Sequence, residues 1–318
     1  MKLVDRAQLD RLLDFPALVE ALSVAFTGQL VAPPRHHHRI GLDGPDCATH
    51  LLMPAWSANA PGKGSFLGTK IVNVFPSNGR LGLPAVLGQY LLQSGETGAP
   101  LALIDGTSLT HWRTAATSAL AARHLARAGA SHLLMVGSGA LAPFLIRAHQ
   151  SVRPIRRITL WNHRPAGAEA LARKLDMAGI DVVATAGLAA AAGEADIISC
   201  ATLSGLPLIR GEWLAPGCHL DLVGAFNLAM RECDDNAIIR ARVCIDTAAA
   251  LTEGGDVAQA ILNGAIGPGH VVADLAALCA GTVAGRTRAD EITLFKSIGA
   301  SIEDLAAAIL VWQRLGAG

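Results

Sequence analysis

This chain has no surplus of either charge, no long apolar run and no closely spaced pair of cysteines. Lys+Arg and Asp+Glu each number 26, so the formal net charge is zero. A protein built for nucleic acid or another polyanion carries a basic excess, so that class is excluded. Apolar residues make up 51% of the chain, much of it alanine at helical spacing. No window of about 18 uninterrupted apolar residues marks a membrane span. The opening stretch, Met1-Lys-Leu-Val-Asp-Arg-Ala-Gln-Leu-Asp10, puts charges where a signal peptide needs an apolar core. A cytoplasmic protein is therefore expected. The six cysteines (Cys47, Cys200, Cys218, Cys233, Cys244 and Cys279) include no C-x-x-C pair and read as buried, reduced thiols. Internal repeats and low-complexity linkers are also missing.

At 318 residues the chain has length for two domains, each with its own core. Residues 3–30 show apolar residues at helical spacing, such as Leu18, Leu22, Ala25 and Phe26. From 31 to 104 the character changes to short β-like runs, Thr49–Met53, Gly68–Val74, Ala85–Leu92 and Pro100–Ile104, separated by Gly, Pro and Asn. This pattern predicts an antiparallel sheet. Thr107 to Ala128 predicts a long helix. From His132 strands and helices alternate, with candidate strands at 132–137, 157–162, 181–185, 195–200, 219–224 and 243–246. Such alternation implies a parallel sheet covered on both faces. The tail from Ile292 to Leu315 reads as helix. The expected fold is α/β: a Rossmann-type doubly wound parallel sheet at 116–290, inserted in a discontinuous α+β substrate domain made of 1–115 and 291–318.

Within this scheme one stretch carries the clearest chemistry. The apolar run from His132 breaks into Gly137-Ser138-Gly139-Ala140-Leu141-Ala142 and continues as a helix. The first glycine permits a tight turn, the second lets backbone approach a pyrophosphate, and the small third residue lets helix pack on strand. The helix N-terminus then offers N–H groups to phosphates. A dinucleotide site is expected there. The next strand ends in Asn162-His163-Arg164 instead of the carboxylate that would bond ribose hydroxyls and repel a 2′-phosphate. An amide and a forked guanidinium suit that phosphate, so NADPH is expected over NADH, with NADH possible. The bland alternative for Arg164 is a solvated side chain at a helix start.

Three cations lie in unusual surroundings. Arg35 follows two prolines and precedes His36, His37 and His38; Lys70 sits inside an apolar β-like segment; Arg113 opens an alanine-rich helix. A lysine in a core strand is costly unless paired or beside a polar cavity. A helix dipole opposes an arginine at its start, so a nearby anion would explain Arg113. Each could be structural alone; together they suggest a pocket for a small carboxylate. The triple histidine has metal-ligand chemistry, but neighbours on a strand point to opposite faces, and no metal is expected.

In order and spacing, several segments resemble the ornithine cyclodeaminase/μ-crystallin family nearly end to end. They are Pro33-Pro-Arg35, Thr69-Lys-Ile-Val-Asn-Val-Phe-Pro76, Gly82-Leu-Pro-Ala85, Leu109-Thr-His-Trp-Arg-Thr-Ala-Ala-Thr-Ser118, Val136-Gly-Ser-Gly139, Trp161-Asn-His-Arg164 and Phe295-Lys-Ser-Ile-Gly299. The resemblance implies a substrate and dimerisation domain wrapped around a Rossmann domain, and a homodimer. It implies that Arg35, Lys70 and Arg113 hold a substrate carboxylate beside the nicotinamide. It also adds Ala201, Thr202, Val223 and Ser297 to the cofactor-binding residues. Family members include cyclodeaminases, alanine dehydrogenases and reductases of cyclic imino acids. Where cyclodeaminases carry an aspartate after the Gly-Ala, this chain has Phe226, which transfers no proton. The form Val-Gly-Ala-Phe…Met-Arg-Glu resembles Δ1-pyrroline-2-carboxylate reductases, which make L-proline from a cyclic imine; the six-membered analogue would give L-pipecolate. Lys70 could protonate the imine or only orient the carboxylate, and His111 is a further candidate. An open-chain amino acid dehydrogenase and a non-catalytic NADPH- or hormone-binding protein are the alternatives.

Overall fold

The computed structural model describes residues 1–41, 47–175 and 177–316. Two units divide the chain, Met1–Arg113 with Ala300–Gly318, and Thr114–Gly299. The first opens with strand β1 (Lys2–Val4) and helices α1 (Arg6–Leu12) and α2 (Phe15–Thr27). Aspartates start both helices: Asp5 exchanges bonds with Gln8 in a capping box, and Asp14 accepts from the Ala17 N–H. Strands β2 (Leu30–Val31), β3 (His36–Ile40), β4 (Ala48–Ser57), β5 (Phe66–Val74), β6 (Val86–Ser94) and β7 (Pro100–Asp105) follow. Helix α3 (Gly106–Leu125) belongs to the first unit up to Arg113 and to the second beyond it.

The second unit continues with β8 (His132–Val136), α4 (Ala142–Val152), β9 (Arg157–Trp161), α5 (Pro165–Lys174) and β10 (Asp181–Ala184). Next come α6 (Leu188–Glu194), β11 (Ile197–Cys200), β12 (His219–Leu222), α7 (Asp235–Arg240) and β13 (Arg242–Ile245). It closes with α8 (Gly255–Leu262), β14 (Val271–Asp274), α9 (Leu275–Cys279) and β15 (Thr293–Lys296), and α10 (Ser301–Gly316) returns the chain to the first unit.

The sheet of the first unit runs β1-β7-β6-β5-β4-β2, with β3 also on β4. Its period-two pattern puts one set of side chains inward. Met53, Lys70, Tyr90 and Ile104 face one another across β4 to β7, all buried. The adjacent row, Ala55, Gly68, Leu92 and Ala102, is also buried. Helix α10 packs on β4, β5 and β6 and on α2, contributing Leu305, Ala307, Ala308 and Val311 to the core. A lysine in such a row needs a partner, and α10 supplies it.

In the second unit every strand pair is parallel, in the order β10-β9-β8-β11-β12-β15-β13-β14. The chain steps outward from β8 through β9 to β10, then crosses back to β11 on the other side of β8. Ligands bind outside the carboxyl ends of strands at such a reversal. Strands β8, β11 and β12 are buried along their whole length, as a sheet covered on both faces requires. The doubly wound sheet expected from the sequence is present.

Several local expectations need correction. Residues 293–296 form a strand, not the start of the terminal helix: Leu294 pairs with Leu220 on one side and Val243 on the other. A four-residue segment, Thr-Leu-Phe-Lys, is too short for its period to separate the two elements, and burial between two strands decided it. The second unit therefore reaches Gly299, past the expected boundary at 290, and the helix begins only after that glycine's left-handed turn (φ 78°). Near the N-terminus, Lys2–Val4 is a strand, because Leu3 and Val4 pair with Leu103 and Ile104. Arg113 lies about two turns inside α3. The dipole argument for its placement therefore falls away.

Candidate functional site

In the Rossmann unit, β8 ends at the glycine turn. Gly137 has φ 108°, and a Cβ there would stand 2.7 Å from the Ala201 carbonyl oxygen, so both backbone shape and space demand glycine. Gly139 is exposed, and a Cβ on it would meet nothing within 4 Å. Its missing side chain leaves backbone open to a ligand. Leu141 enters α4 without a side-chain cap; the Ala142 N–H closes a turn onto the Gly139 carbonyl at 3.1 Å, Pro143 carries no N–H, and the Phe144 N–H donates to the Leu141 carbonyl at 3.0 Å. A cleft of about 490 Å³ lies over this turn, lined among others by Ser138, Trp161, Asn162, His163 and Thr202. Bare glycine backbone, an uncapped helix start and a cleft at the sheet's reversal fit a nicotinamide dinucleotide.

The structure brings Gly137, Ser138, Gly139, Asn162, His163, Ala201 and Thr202 into that cleft. Ala140 and Leu141 complete the turn into α4. Arg164 is exposed at the N-cap of α5, and the Asn162 side-chain amide donates to its carbonyl at 3.0 Å. That amide thus holds the loop as well as lining the cleft. Val223, just past β12, is buried. Ser297, just past β15, is buried too, and its hydroxyl donates to Asp246 at 3.0 Å; the Ile298 and Gly299 N–H groups join it there at 2.7 Å each. Phe226 is 43% exposed in the turn that follows Gly224 and Ala225.

In the other unit, Lys70 and Arg113 converge. Lys70 Nζ donates to Asp304 Oδ1 at 2.9 Å and stands 2.8 Å from Oδ2. Arg113 Nε donates to the same Oδ1 at 3.0 Å, and its Nη1 donates to Glu303 Oε2 at 2.7 Å. All four side chains are buried. The anion sought for the two cations therefore comes from the start of α10, and two positive charges face two negative ones. Burial, reinforced by Arg113, holds the Lys70 ammonium down to about 8 against the pull of Asp304. Arg35 is half-buried just before β3, which carries His36, His37 and His38 in an exposed row along the edge of β4. His111 is half-buried, and burial with Arg6 keeps its imidazole below the usual value.

Three buried groups escaped the sequence reading. Glu303 and Asp304 looked like ordinary acids in the first turn of a helix. Tyr90, the one tyrosine of the chain, lies directly across from Lys70, and its hydroxyl has no hydrogen-bond partner among the described residues. Gly68 makes room for it, since a Cβ there would sit 2.2 Å from the phenolic oxygen. The only signal for Tyr90 was its rarity.

Comparison with known proteins finds relatives along most of the chain. A Δ1-pyrroline-2-carboxylate reductase of Paracoccus denitrificans is 39% identical over 277 residues, 86% of either chain. The structure of Thermococcus litoralis Δ1-pyrroline-2-carboxylate reductase with NADH and L-proline superimposes with a TM-score of 0.89 at 31% identity, covering 100% of this chain and 98% of that one. An archaeal alanine dehydrogenase dimer with bound NAD gives 0.90 at 28% identity, covering 100% and 96%. The family model described as ornithine cyclodeaminase/mu-crystallin matches residues 14–318, and this chain belongs to that family.

Proposed function

We propose that the protein reduces a cyclic imino acid, Δ1-pyrroline-2-carboxylate or Δ1-piperideine-2-carboxylate, to L-proline or L-pipecolate. NADPH is the preferred reductant and NADH is accepted. The observation that carries this reading is Lys70, a buried ammonium held down to about 8 and fixed by Asp304. A general acid works best when its pKa lies near the working pH, and Lys70 meets that condition. When bound, the reduced nicotinamide supplies the hydride. Lys70 Nζ would give its proton to the imine nitrogen, which makes the C=N carbon a better hydride acceptor; proton on nitrogen and hydride on carbon together convert C=N to CH–NH, and Lys70 is left as the neutral amine. Arg35 and Arg113, with Lys70, hold the substrate carboxylate. Phe226 offers no proton-transferring group where a cyclodeaminase uses an aspartate, which disfavours ammonia elimination. Half-buried Asn162 with exposed His163 and Arg164, and no carboxylate among them, supports NADPH.

The likeness to pyrroline-2-carboxylate reductases favours a ring substrate; the likeness to alanine dehydrogenase favours a second reading, an open-chain amino acid. Oxidation of NADPH and of NADH by the purified protein separates them. Turnover is expected with either cyclic imine and not with pyruvate plus ammonia. Turnover with pyruvate and ammonia alone would favour the second reading, and cofactor binding without any turnover would favour a binding protein. We further propose a cytoplasmic homodimer. Among the described residues no helix is long and apolar enough to cross a membrane. All six cysteines are free, four of them buried, which suits a reducing compartment.

A further inference from the structure

The Rossmann unit contains a second set of charged side chains, removed from water. Glu232, Asp256 and Lys296 are all fully buried. Glu232 Oε1 accepts from the Thr202 N–H at 2.7 Å and the Thr202 hydroxyl at 2.9 Å. Its Oε2 accepts from the Gly224 N–H at 2.8 Å and the Ala225 N–H at 3.3 Å. Thr202 follows β11 and Gly224 follows β12, and these two strands pair through Cys200 and Leu222. One carboxylate thus cross-braces two neighbouring turns at the carboxyl ends of the sheet, where open α/β sheets take their ligands.

The brace is itself held. Asp256 Oδ1 accepts from the Glu232 and Cys233 N–H groups at 2.7 and 3.0 Å, and its Oδ2 takes Lys296 Nζ at 2.9 Å. The braced turns lie in close backbone contact: a Cβ on Gly224 would stand 2.0 Å from the Thr202 carbonyl oxygen and 2.4 Å from Glu232 Oε1. Thr202 lines the dinucleotide cleft, and its methyl lies 3.2 Å from where a side chain would begin on Gly137. Displacing Thr202 therefore disturbs the wall of the cleft and the glycine turn beside it.

We infer that Glu232 is a positioning residue for the dinucleotide, acting through Thr202 and the Gly224–Ala225 turn without touching the ligand. This rests on the reading of the cleft as the dinucleotide site. The brace needs the carboxylate form, because protonation turns one accepting oxygen into a donor aimed at N–H groups. Around Glu232 stand Asp256 on α8, Lys296 on β15, Cys200 on β11 and its neighbour Cys233. Burial raises Glu232 to about 7, with Lys296 drawing it down and Asp256 pushing it up. Burial keeps both thiols well above their ordinary values, and thus neutral.

The test is NADH affinity by nicotinamide fluorescence between pH 6 and 8.5, in the wild-type protein and in Glu232→Gln. Wild-type affinity is expected to weaken about tenfold as pH falls through 7, the effect of losing one charge-assisted hydrogen bond or more. Glu232→Gln is expected to bind about tenfold more weakly at pH 8 and to show no such pH dependence. Amide hydrogen exchange at Thr202, Gly224 and Ala225 in the ligand-free variant should accelerate. A flat wild-type profile overturns the inference without recourse to any variant. So does a Glu232→Gln protein with unchanged affinity, pH dependence and exchange. Wild-type protein that binds no NADH at any pH would instead overturn the reading of the cleft, and the role of the brace with it.

Discussion

Lys70 and Arg113 share one carboxylate, and that sharing governs what each can do. Asp304 is the counter-charge that keeps a proton on an amine which burial pushes toward neutrality. The ammonium is present below about 8 and is lost above it, so kcat/KM for the cyclic imine should fall on the alkaline side with a midpoint near 8. Asp304→Asn removes the charge and keeps the shape; the alkaline limb should move to lower pH by about one unit or more, measured from initial rates across pH. A limb that stays in place would take Lys70 out of the proton transfer. Lys70→Ala should lower kcat/KM by about 10²–10⁴ while circular dichroism stays native. That Lys70 is expensive in a β segment was legible in the sequence from its apolar neighbours. That Asp304 meets it was not, because the partner lies 234 residues away and only the return of α10 brings it there.

Among the elements, the strand–turn–helix from β8 to α4 was the most legible, since both glycines of the turn have their own steric reason. Gly137 and Gly139 should respond differently to the same change. At Gly137, alanine faces both a left-handed backbone and the Ala201 carbonyl, so Gly137→Ala should lower thermal stability. At Gly139, alanine meets no protein atom, so Gly139→Ala should melt within about 0.5 kcal/mol of wild type. Its methyl would still fill the space through which backbone approaches a pyrophosphate, and NADPH affinity in a fluorescence titration should fall about tenfold or more. Unchanged affinity in Gly139→Ala would move the phosphates elsewhere. Less legible were β15 and β1. Thr293–Lys296 carries no alternation because both of its faces are buried, and periodicity cannot separate such a strand from a piece of helix. Lys2–Val4 is too short for any pattern and forms because β7 offers an open edge to pair with.

At the scale of the whole molecule, one unit is assembled from both ends of the chain, and in the sequence the position of the glycine turn and the change of rhythm after residue 104 point toward such a split. Composition could not show what lies on the second face of that unit's sheet. An antiparallel sheet that faces water on one side carries polar residues there. Here Leu52, Ile71, Leu91 and Leu103 run diagonally across that face half-buried, between Thr69, Asn73, Gln89 and Asp105, and Leu3 and Leu87 are exposed. A strip of partly exposed apolar residues of this kind, rimmed by polar ones, marks an association surface. Two-fold pairing of identical faces is the commonest closed solution. Wild-type protein at micromolar concentration should sediment at twice the monomer mass. Ile71→Arg combined with Leu91→Arg places like charges opposite each other across a self-complementary contact, and should sediment as a monomer. Neither side chain points toward Lys70, which lies on the opposite face of β5, so loss of the dimer is expected before loss of the fold. A wild-type monomer, or a double variant that still sediments as a dimer, would rule this face out as the contact.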